Sequence, residues 1–271
     1  MVLAPQDSQQ HDNPPTLALA MAQARCAPFR AAFSSATIQK RARVYSPARR
    51  TTVAMAAGAS PDNTAPRLDP KRATLFVCDV QDAFAPAIAG FDNIVHCASV
   101  MMRAAPALGD KKDGIPVFVT AQYPEKLGNT VEALKPYIKP RTATVGSSPD
   151  SHVVGKKRFS MVVPEIQKRY GKYPDRKQAL LVGLEAHVCV LQTALDLLAD
   201  GFEVFVLTDG VSSRDFADRS AAFRRMEAAG CVLATSEMAL FEMLGGADSK
   251  GFKAVSALVK EAKPQPPMPS V

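Results

Sequence analysis

The sequence predicts an α/β fold, with one domain at residues 71–263 whose parallel sheet is flanked by helices on both faces. Two observations support this prediction. From residue 73 onward, short apolar segments rich in β-branched residues alternate with longer segments that have helical periodicity. The short segments are apolar at consecutive positions, which is typical of strands buried on both faces.

The individual elements follow in chain order. Strands are predicted at residues 73–80, 115–120, 178–184, 203–210 and 231–235, and helices at 92–108, 161–169, 188–200, 214–229, 236–244 and 249–260. Pro106 is expected to end the first helix, Gly201 the third, and Ser236 to cap the helix that it begins. Residues 121–155 are rich in Pro and Gly and predict a long connection of the kind that often binds ligands. The Pro-rich segment 264–271 is expected to be a loose tail.

Much of the positive charge lies in the first quarter of the chain. The formal net charge is +7, of which residues 1–70 supply +4 and residues 71–271 supply +3. Residues 14–60 contain no Asp or Glu and are rich in Ala, Ser, Thr and Pro. This composition predicts an organellar transit peptide at residues 1–70, for a mitochondrion or a plastid, with a processing site among the small residues 53–60. The alternatives are a basic disordered tail with another role and a cytoplasmic protein.

Composition also limits the classes of function. The mean hydropathy is −0.04 and no apolar run approaches the roughly 20 residues of a membrane span, so we expect no membrane partner. Nucleic-acid binding would rest only on the pI of 9.2, which the predicted leader largely explains, so we expect no nucleic-acid partner. The five cysteines are widely spaced and the four histidines show no paired ligand spacing, which argues against a disulfide framework or a zinc site.

The predicted strand ends carry the residues that are able to do chemistry. In an open parallel sheet, sites lie beyond the carboxyl ends of the strands. Cys189 is at the start of a predicted helix, where the helix dipole is expected to lower its thiol pKa and free N–H groups are able to hold an oxyanion. Asp79 ends the first strand and offers a base, and Lys156 in the segment GKKRFS offers a cation. Taken singly, each of these residues is better explained by an ordinary structural role.

Four motifs together resemble the isochorismatase-like cysteine hydrolases, especially the isochorismatase domain-containing proteins. They are CDVQDAF (78–84), TAQYPEKLGNT (120–130), GKKRFSMVVPE (155–165) and GLEAHVCVLQTALDLL (183–198). The resemblance covers residues 73–244 and implies a Rossmann-like hydrolase fold with an Asp79–Lys156–Cys189 triad, Lys157 being the alternative to Lys156. It also implies a cis peptide between Leu184 and Glu185, and an oxyanion hole made by the N–H groups of Glu185 and Cys189. A homodimer or larger homo-oligomer and a small-molecule substrate are implied as partners, and no cofactor.

Several other positions are candidate pocket or catalytic residues. Five residues are expected at the substrate pocket, although each could equally well serve only in packing: Gln81, Phe84, Gln122, Tyr123 and Phe159. His187 lies two residues before Cys189, which is a poor spacing for a Cys–His dyad because the two side chains would point in different directions.

The leading hypothesis is a metal-independent hydrolase that acts on a small amide or related C–N compound through a thioester. Metal-dependent nicotinamidases of the superfamily carry a D-x-H segment after the second strand, where this chain has Gln122, Tyr123 and Pro124, so no metal is expected. True isochorismate hydrolases lack the Cys nucleophile, whereas this chain has Cys189. The alternatives are a catalytically silent binding or scaffold protein and a nicotinamidase-like amidase.

Overall fold

A computed structural model describes residues 66–109, 114–138, 153–264, 266, 268 and 269. The predicted leader therefore lies almost wholly outside the described residues, as do the transit-peptide processing segment and part of the 121–155 connection. Among the described residues, none of the helices is long and apolar enough to cross a membrane.

The single α/β domain is built on a six-stranded parallel sheet with the order β3-β2-β1-β4-β5-β6. The strands are β1 (Ala73–Cys78), β2 (Val117–Gln122), β3 (Val153–Lys156), β4 (Gln178–Leu184), β5 (Glu203–Ser212) and β6 (Val232–Ala234). The prediction of five strands was wrong by one. Strand β3 falls in the segment predicted as a long connection, and its four residues, VVGK, are too few to show a hydrophobic pattern.

Eight α-helices are present among the described residues. They are α1 (Phe91–Ala104), α2 (Pro124–Leu127), α3 (Lys135–Ile138), α4 (Pro164–Tyr170), α5 (Leu191–Ala199), α6 (Phe216–Ala228), α7 (Ser236–Leu244) and α8 (Phe252–Val259). Single 3₁₀ turns occupy Asp82–Phe84, Ala105–Ala107 and Glu132–Leu134, and a π-helical turn occupies Ala186–Val190.

Differences at the helix ends have local causes. The first helix changes to a 3₁₀ turn at Ala105, one residue before Pro106, because proline cannot donate the next helical hydrogen bond. Helix α4 begins at Pro164 rather than at residue 161, since proline is favoured in the first turn. The cap of α7 is Thr235, whose hydroxyl accepts from the Met238 N–H at 3.2 Å, and not Ser236 as predicted.

The strands separate two hydrophobic layers, as expected for a sheet covered on both faces. In β1, Leu75 and Val77 face the layer formed with α1, α7 and α8. Phe76 and Cys78 face the opposite layer, formed with α4, α5 and α6. Because all six strands run in the same direction, the residues that follow β1, β2, β3 and β4 meet at one edge of the sheet, where the candidate site lies.

Candidate active site

Asp79 is the first residue beyond β1 and lies in the interior, with 1% of its surface exposed. Its φ of +53° is in the left-handed region, which is uncommon for a residue with a Cβ and is often found at functional sites. Thr120 on the neighbouring strand donates its hydroxyl to Asp79 Oδ1 at 2.8 Å and accepts the Asp79 N–H at its carbonyl at 3.2 Å. The carboxylate is therefore fixed in position, and its Oδ2 atom faces the other groups of the site.

Lys156 is the last residue of β3, and its fully buried side chain forms an ion pair with Asp79. The Nζ atom lies 2.6 Å from Asp79 Oδ2, 2.7 Å from Gln122 Oε1, and 3.1 and 2.7 Å from the carbonyl oxygens of Arg158 and Phe159. Burial by itself lowers the pKa of Lys156, but the negative forms of Cys78, Asp79 and Cys189 outweigh burial and raise it. Lys156 is therefore a fixed cation at the centre of this cluster.

Lys157, the alternative to Lys156, lies elsewhere. It is exposed, and its Nζ atom sits 4.8 Å from the centre of the Tyr123 ring. Of the two adjacent lysines, the one with the buried ammonium beside Asp79 is Lys156.

Two glutamines connect the site to the loop that follows β2. Gln81 is fully buried, and its amide accepts from the Gln122 N–H at 2.7 Å and donates to the Gln122 and Gly128 carbonyls at 3.0 and 2.6 Å. Gln122 in turn accepts from Lys156 and donates to the Lys157 carbonyl at 2.9 Å. The amide of Gln81, expected at the substrate pocket, thus holds the loop in place, and Gln122 orients the lysine.

Cys189 lies in the π-helical turn that directly follows β4, and 7% of its surface is exposed. The peptide bond between Leu184 and Glu185 is cis. The Glu185 carbonyl accepts from the N–H groups of Val188 and Val190 at 3.0 and 3.1 Å. Turns of this type are rare and occur often at functional sites.

Thr193 secures the turn from the side of α5. Its hydroxyl donates to the Cys189 carbonyl at 2.6 Å and accepts from the Met161 N–H at 2.9 Å. The position of Cys189 is therefore tied to the segment that also carries Lys156.

Two members of this cluster were not expected from the sequence. Cys78, the residue before Asp79, is fully buried and donates its thiol proton to Asp79 Oδ2 at 3.5 Å. Burial, a hydrogen bond to Cys189 and the charge of Asp79 all raise the pKa of Cys78. The other is Thr120, which the sequence could have indicated because it is the one hydroxyl residue at the end of an otherwise apolar predicted strand, 115–120.

Glycine is required at position 183, where β4 passes the end of β1. Gly183 pairs with Cys78 in register and has a φ of +124°. A Cβ at this position would lie 2.0 Å from the Cys78 carbonyl oxygen. The close approach of the two backbones places the end of β4, which the Cys189 turn follows, beside the end of β1, which Asp79 follows.

His187 is directed at groups other than Cys189. Its Nδ1 atom lies 2.9 Å from Ser213 Oγ, and its Nε2 atom lies 3.9 Å from carboxylate oxygens of both Glu185 and Asp218. This arrangement gives a Cys–His dyad no support.

The remaining pocket candidates differ in burial and in the part of the domain that they contact. Phe84 is partly buried and packs on the core, whereas the Phe159 side chain is 45% exposed. Tyr123 has a φ of +38°, a second strained position, and donates its N–H to the Lys156 carbonyl at 2.7 Å. Within the described ranges, no three His, Cys, Asp or Glu residues are grouped so as to hold a metal ion.

Comparison with known proteins places these features in a family context. A family described as the isochorismatase domain matches residues 73–238. The secreted isochorismatase effector Isc1 of Phytophthora sojae is 38% identical over 208 residues, which are 76% of this chain and 93% of that protein. Isochorismatase domain-containing protein 1 of Salmo salar is 37% identical over 198 residues, 73% of this chain and 64% of that protein. The MAR1 ribonuclease structure from Caenorhabditis elegans is 37% identical with a TM-score of 0.66, covering 76% of this chain and 98% of that one.

Proposed function

The chain belongs to the isochorismatase family, and on that premise we propose that it is a metal-independent cysteine hydrolase acting on a small amide or related C–N compound. The observation that carries the proposal is the Lys156–Asp79 ion pair at 2.6 Å, buried beside the Cys78 and Cys189 thiols. A base, a cation and a thiol are the groups that nucleophilic catalysis by cysteine requires.

In the proposed reaction, Asp79 takes the proton of Cys189, and the thiolate attacks the substrate carbonyl. The N–H groups of Glu185 and Cys189 stabilise the oxyanion of the tetrahedral intermediate. Asp79 then passes its proton to the leaving amine, and a thioester remains on Cys189. Water, deprotonated by Asp79, attacks the thioester, and the acid leaves as the thiolate is restored. Lys156 keeps a positive charge beside each negative group throughout.

A catalytically silent binding protein is the main alternative. Burying an ion pair carries a desolvation penalty that apolar residues of similar volume would avoid. A binding protein without chemistry has no evident use for that pair, whereas a hydrolase uses both charges. A nicotinamidase-like amidase would act through the same three residues and differ in its substrate.

A hydrolysis screen with a metabolite library tests the proposal. The wild type should release product from an amide or C–N substrate, and Cys189→Ala should reduce turnover by at least about a thousandfold, since it removes the nucleophile. Cys231→Ala is the matched control: it also removes a buried thiol, but at the amino end of β6, away from Asp79. Turnover retained by Cys189→Ala would refute the mechanism.

Two further arms separate the alternatives. A single-stranded RNA substrate belongs in the same screen, because one similar structure is that of a ribonuclease. An electrophilic thiol probe at neutral pH should label Cys189 faster than Cys78, Cys97 and Cys231. Equal labelling of all four under native conditions would favour the silent binding protein.

Light scattering tests the further proposal of a homodimer or larger homo-oligomer.

A further inference from the structure

The site holds two thiols where the proposed hydrolysis uses one. Cys78, with no exposed surface, and Cys189, 7% exposed, lie in the same hydrophobic layer on one face of the sheet. The register of β1 and β4 sets this proximity, because Cys78 pairs with Gly183 and the Cys189 turn begins just after β4 ends. Besides burial, hydrogen bonding with Cys189 is among the causes that raise the pKa of Cys78, as expected for two neighbouring thiols.

We propose that Cys78 and Cys189 are a paired-thiol modification site, which closes to a disulfide when a hydroperoxide oxidises Cys189 and which a thiol reductant reopens. The inference rests on the proposed function for one element only, the reactive thiolate at Cys189. Cys78 would then be the resolving residue of a reversible switch.

The chemistry balances with the hydroperoxide as the only oxidant. The Cys189 thiolate attacks the peroxide, the O–O bond breaks, and a sulfenic acid forms. Asp79 returns the proton that it took from Cys189 to the leaving oxygen, which departs as an alcohol or, from hydrogen peroxide, as water. Cys78 then attacks the Cys189 sulfur, the S–S bond forms, and the S–OH bond breaks. The Cys78 proton passes to the Asp79 carboxylate, which its thiol already contacts at 3.5 Å, and from there to the departing hydroxide as water. Two thiols lose two electrons in total, and the peroxide gains them.

Cys78 is better placed for this role than the other described cysteines. Cys97 faces the opposite hydrophobic layer, where its thiol lies 4.0 Å from Asp209 Oδ1. Cys231 directly precedes β6, so it lies at the amino end of the sheet and is separated from β1 by β4 and β5. Cys78 and Cys189 both lie at the carboxyl end, on adjacent segments.

The buried Cys78 would protect Cys189 from irreversible oxidation. A reagent that enters the site meets Cys189 first, because Cys78 has no exposed surface. Without a partner thiol, a sulfenic acid proceeds to sulfinic and sulfonic acids, which thiol reductants do not reverse. With Cys78 on the adjacent segment, the sulfenic acid is captured before further oxidation.

Peptide mass spectrometry of the full chain, treated with graded hydrogen peroxide, tests the inference. The wild type should lose about 2 Da and give a cross-linked peptide containing Cys78 and Cys189, and dithiothreitol should restore labelling of Cys189 by iodoacetamide. In Cys78→Ser, Cys189 should instead gain about 32 Da as the sulfinic acid, and dithiothreitol should not restore its labelling. Cys97→Ala and Cys26→Ser should behave as the wild type.

The outcomes distinguish this inference from the proposed function. If iodoacetamide labels untreated Cys189 rapidly but peroxide produces no cross-link, the paired-thiol site is refuted and the hydrolase is not. If untreated Cys189 is unreactive to both reagents, both are refuted. Phenylarsine oxide, which binds two close thiols, needs no variant: it should block labelling of Cys189 in the wild type, and unchanged labelling would refute the pairing.

Discussion

The Lys156→Met substitution should reveal how strongly the domain depends on charge balance in its site. Without the ammonium, the Asp79 carboxylate keeps the Thr120 hydroxyl and the Cys78 thiol as donors but loses its ion pair at 2.6 Å. The side chains of Lys156 and Asp79 are 0% and 2% exposed, so water does not compensate the remaining charge. Removing one partner of a buried pair costs about 3–5 kcal/mol, and we expect the free energy of unfolding to fall by that amount.

Urea denaturation followed by circular dichroism measures this change. Lys157→Met is the matched control, because the neighbouring lysine is exposed and its cation–π contact with Tyr123 contributes about 0.5–1 kcal/mol. The double variant Asp79→Asn/Lys156→Met removes both charges and should lose less stability than the sum of the single variants. The reasoning is refuted if Lys156→Met, at an unchanged m-value, is no less stable than Lys157→Met.

Three other predictions concern the backbone, the thiols and the leader. Gly183→Ala should lower the free energy of unfolding by at least about 3 kcal/mol, because its Cβ would lie 2.0 Å from the Cys78 carbonyl oxygen. Gly230→Ala is the control, since its φ of +105° is also strained but its Cβ would meet no atom within 4 Å. Equal thermal stability of the two variants would contradict this prediction. Burial raises the pKa of Cys231 to about 12, so the folded protein keeps a proton that the unfolded chain loses above about pH 8.5. The free energy of unfolding therefore falls as the pH rises through this window. Cys231→Ala should make this fall between about pH 9 and 11 less steep by about 1.4 kcal/mol per pH unit. An unchanged pH dependence would contradict the prediction. A fluorescent protein fused behind residues 1–70 should enter mitochondria or plastids, and uniform cytoplasmic fluorescence would refute the leader.

The sequence predicted the parts of the fold that depend on local pattern. The bounds of β4 match the prediction, because QALLVGL is apolar after its first residue and lies between the charged residues Lys177 and Glu185. Strand β3 was missed because its residues gain strand structure only by pairing with β2, a long-range contact that no local pattern reports. For the same reason helical periodicity indicated a helix near Cys189 but not the π-helical turn that begins it.

The candidate site was predictable in its residues and not in its contacts. Asp79 and Lys156 were chosen from motifs, and the structure brings their side chains together. Cys78 was overlooked because a cysteine in a buried strand is usually a small apolar residue. Its position against Asp79 follows from the positive φ of Asp79 and the register of two strands, which the sequence does not reveal.

The position of β3 has a consequence for how the ion pair between Lys156 and Asp79 is lost. In the described part of the sheet, β3 is an edge strand whose four residues pair with β2 alone, and its last residue is Lys156. Segments with few paired backbone groups open locally at a lower free energy than the whole domain. Fraying of this edge would carry the ammonium away from Asp79 while the central strands remain folded. We therefore expect the Lys156–Asp79 pair to separate at a lower free energy than the whole domain unfolds, and amide hydrogen exchange in β3 would measure this opening.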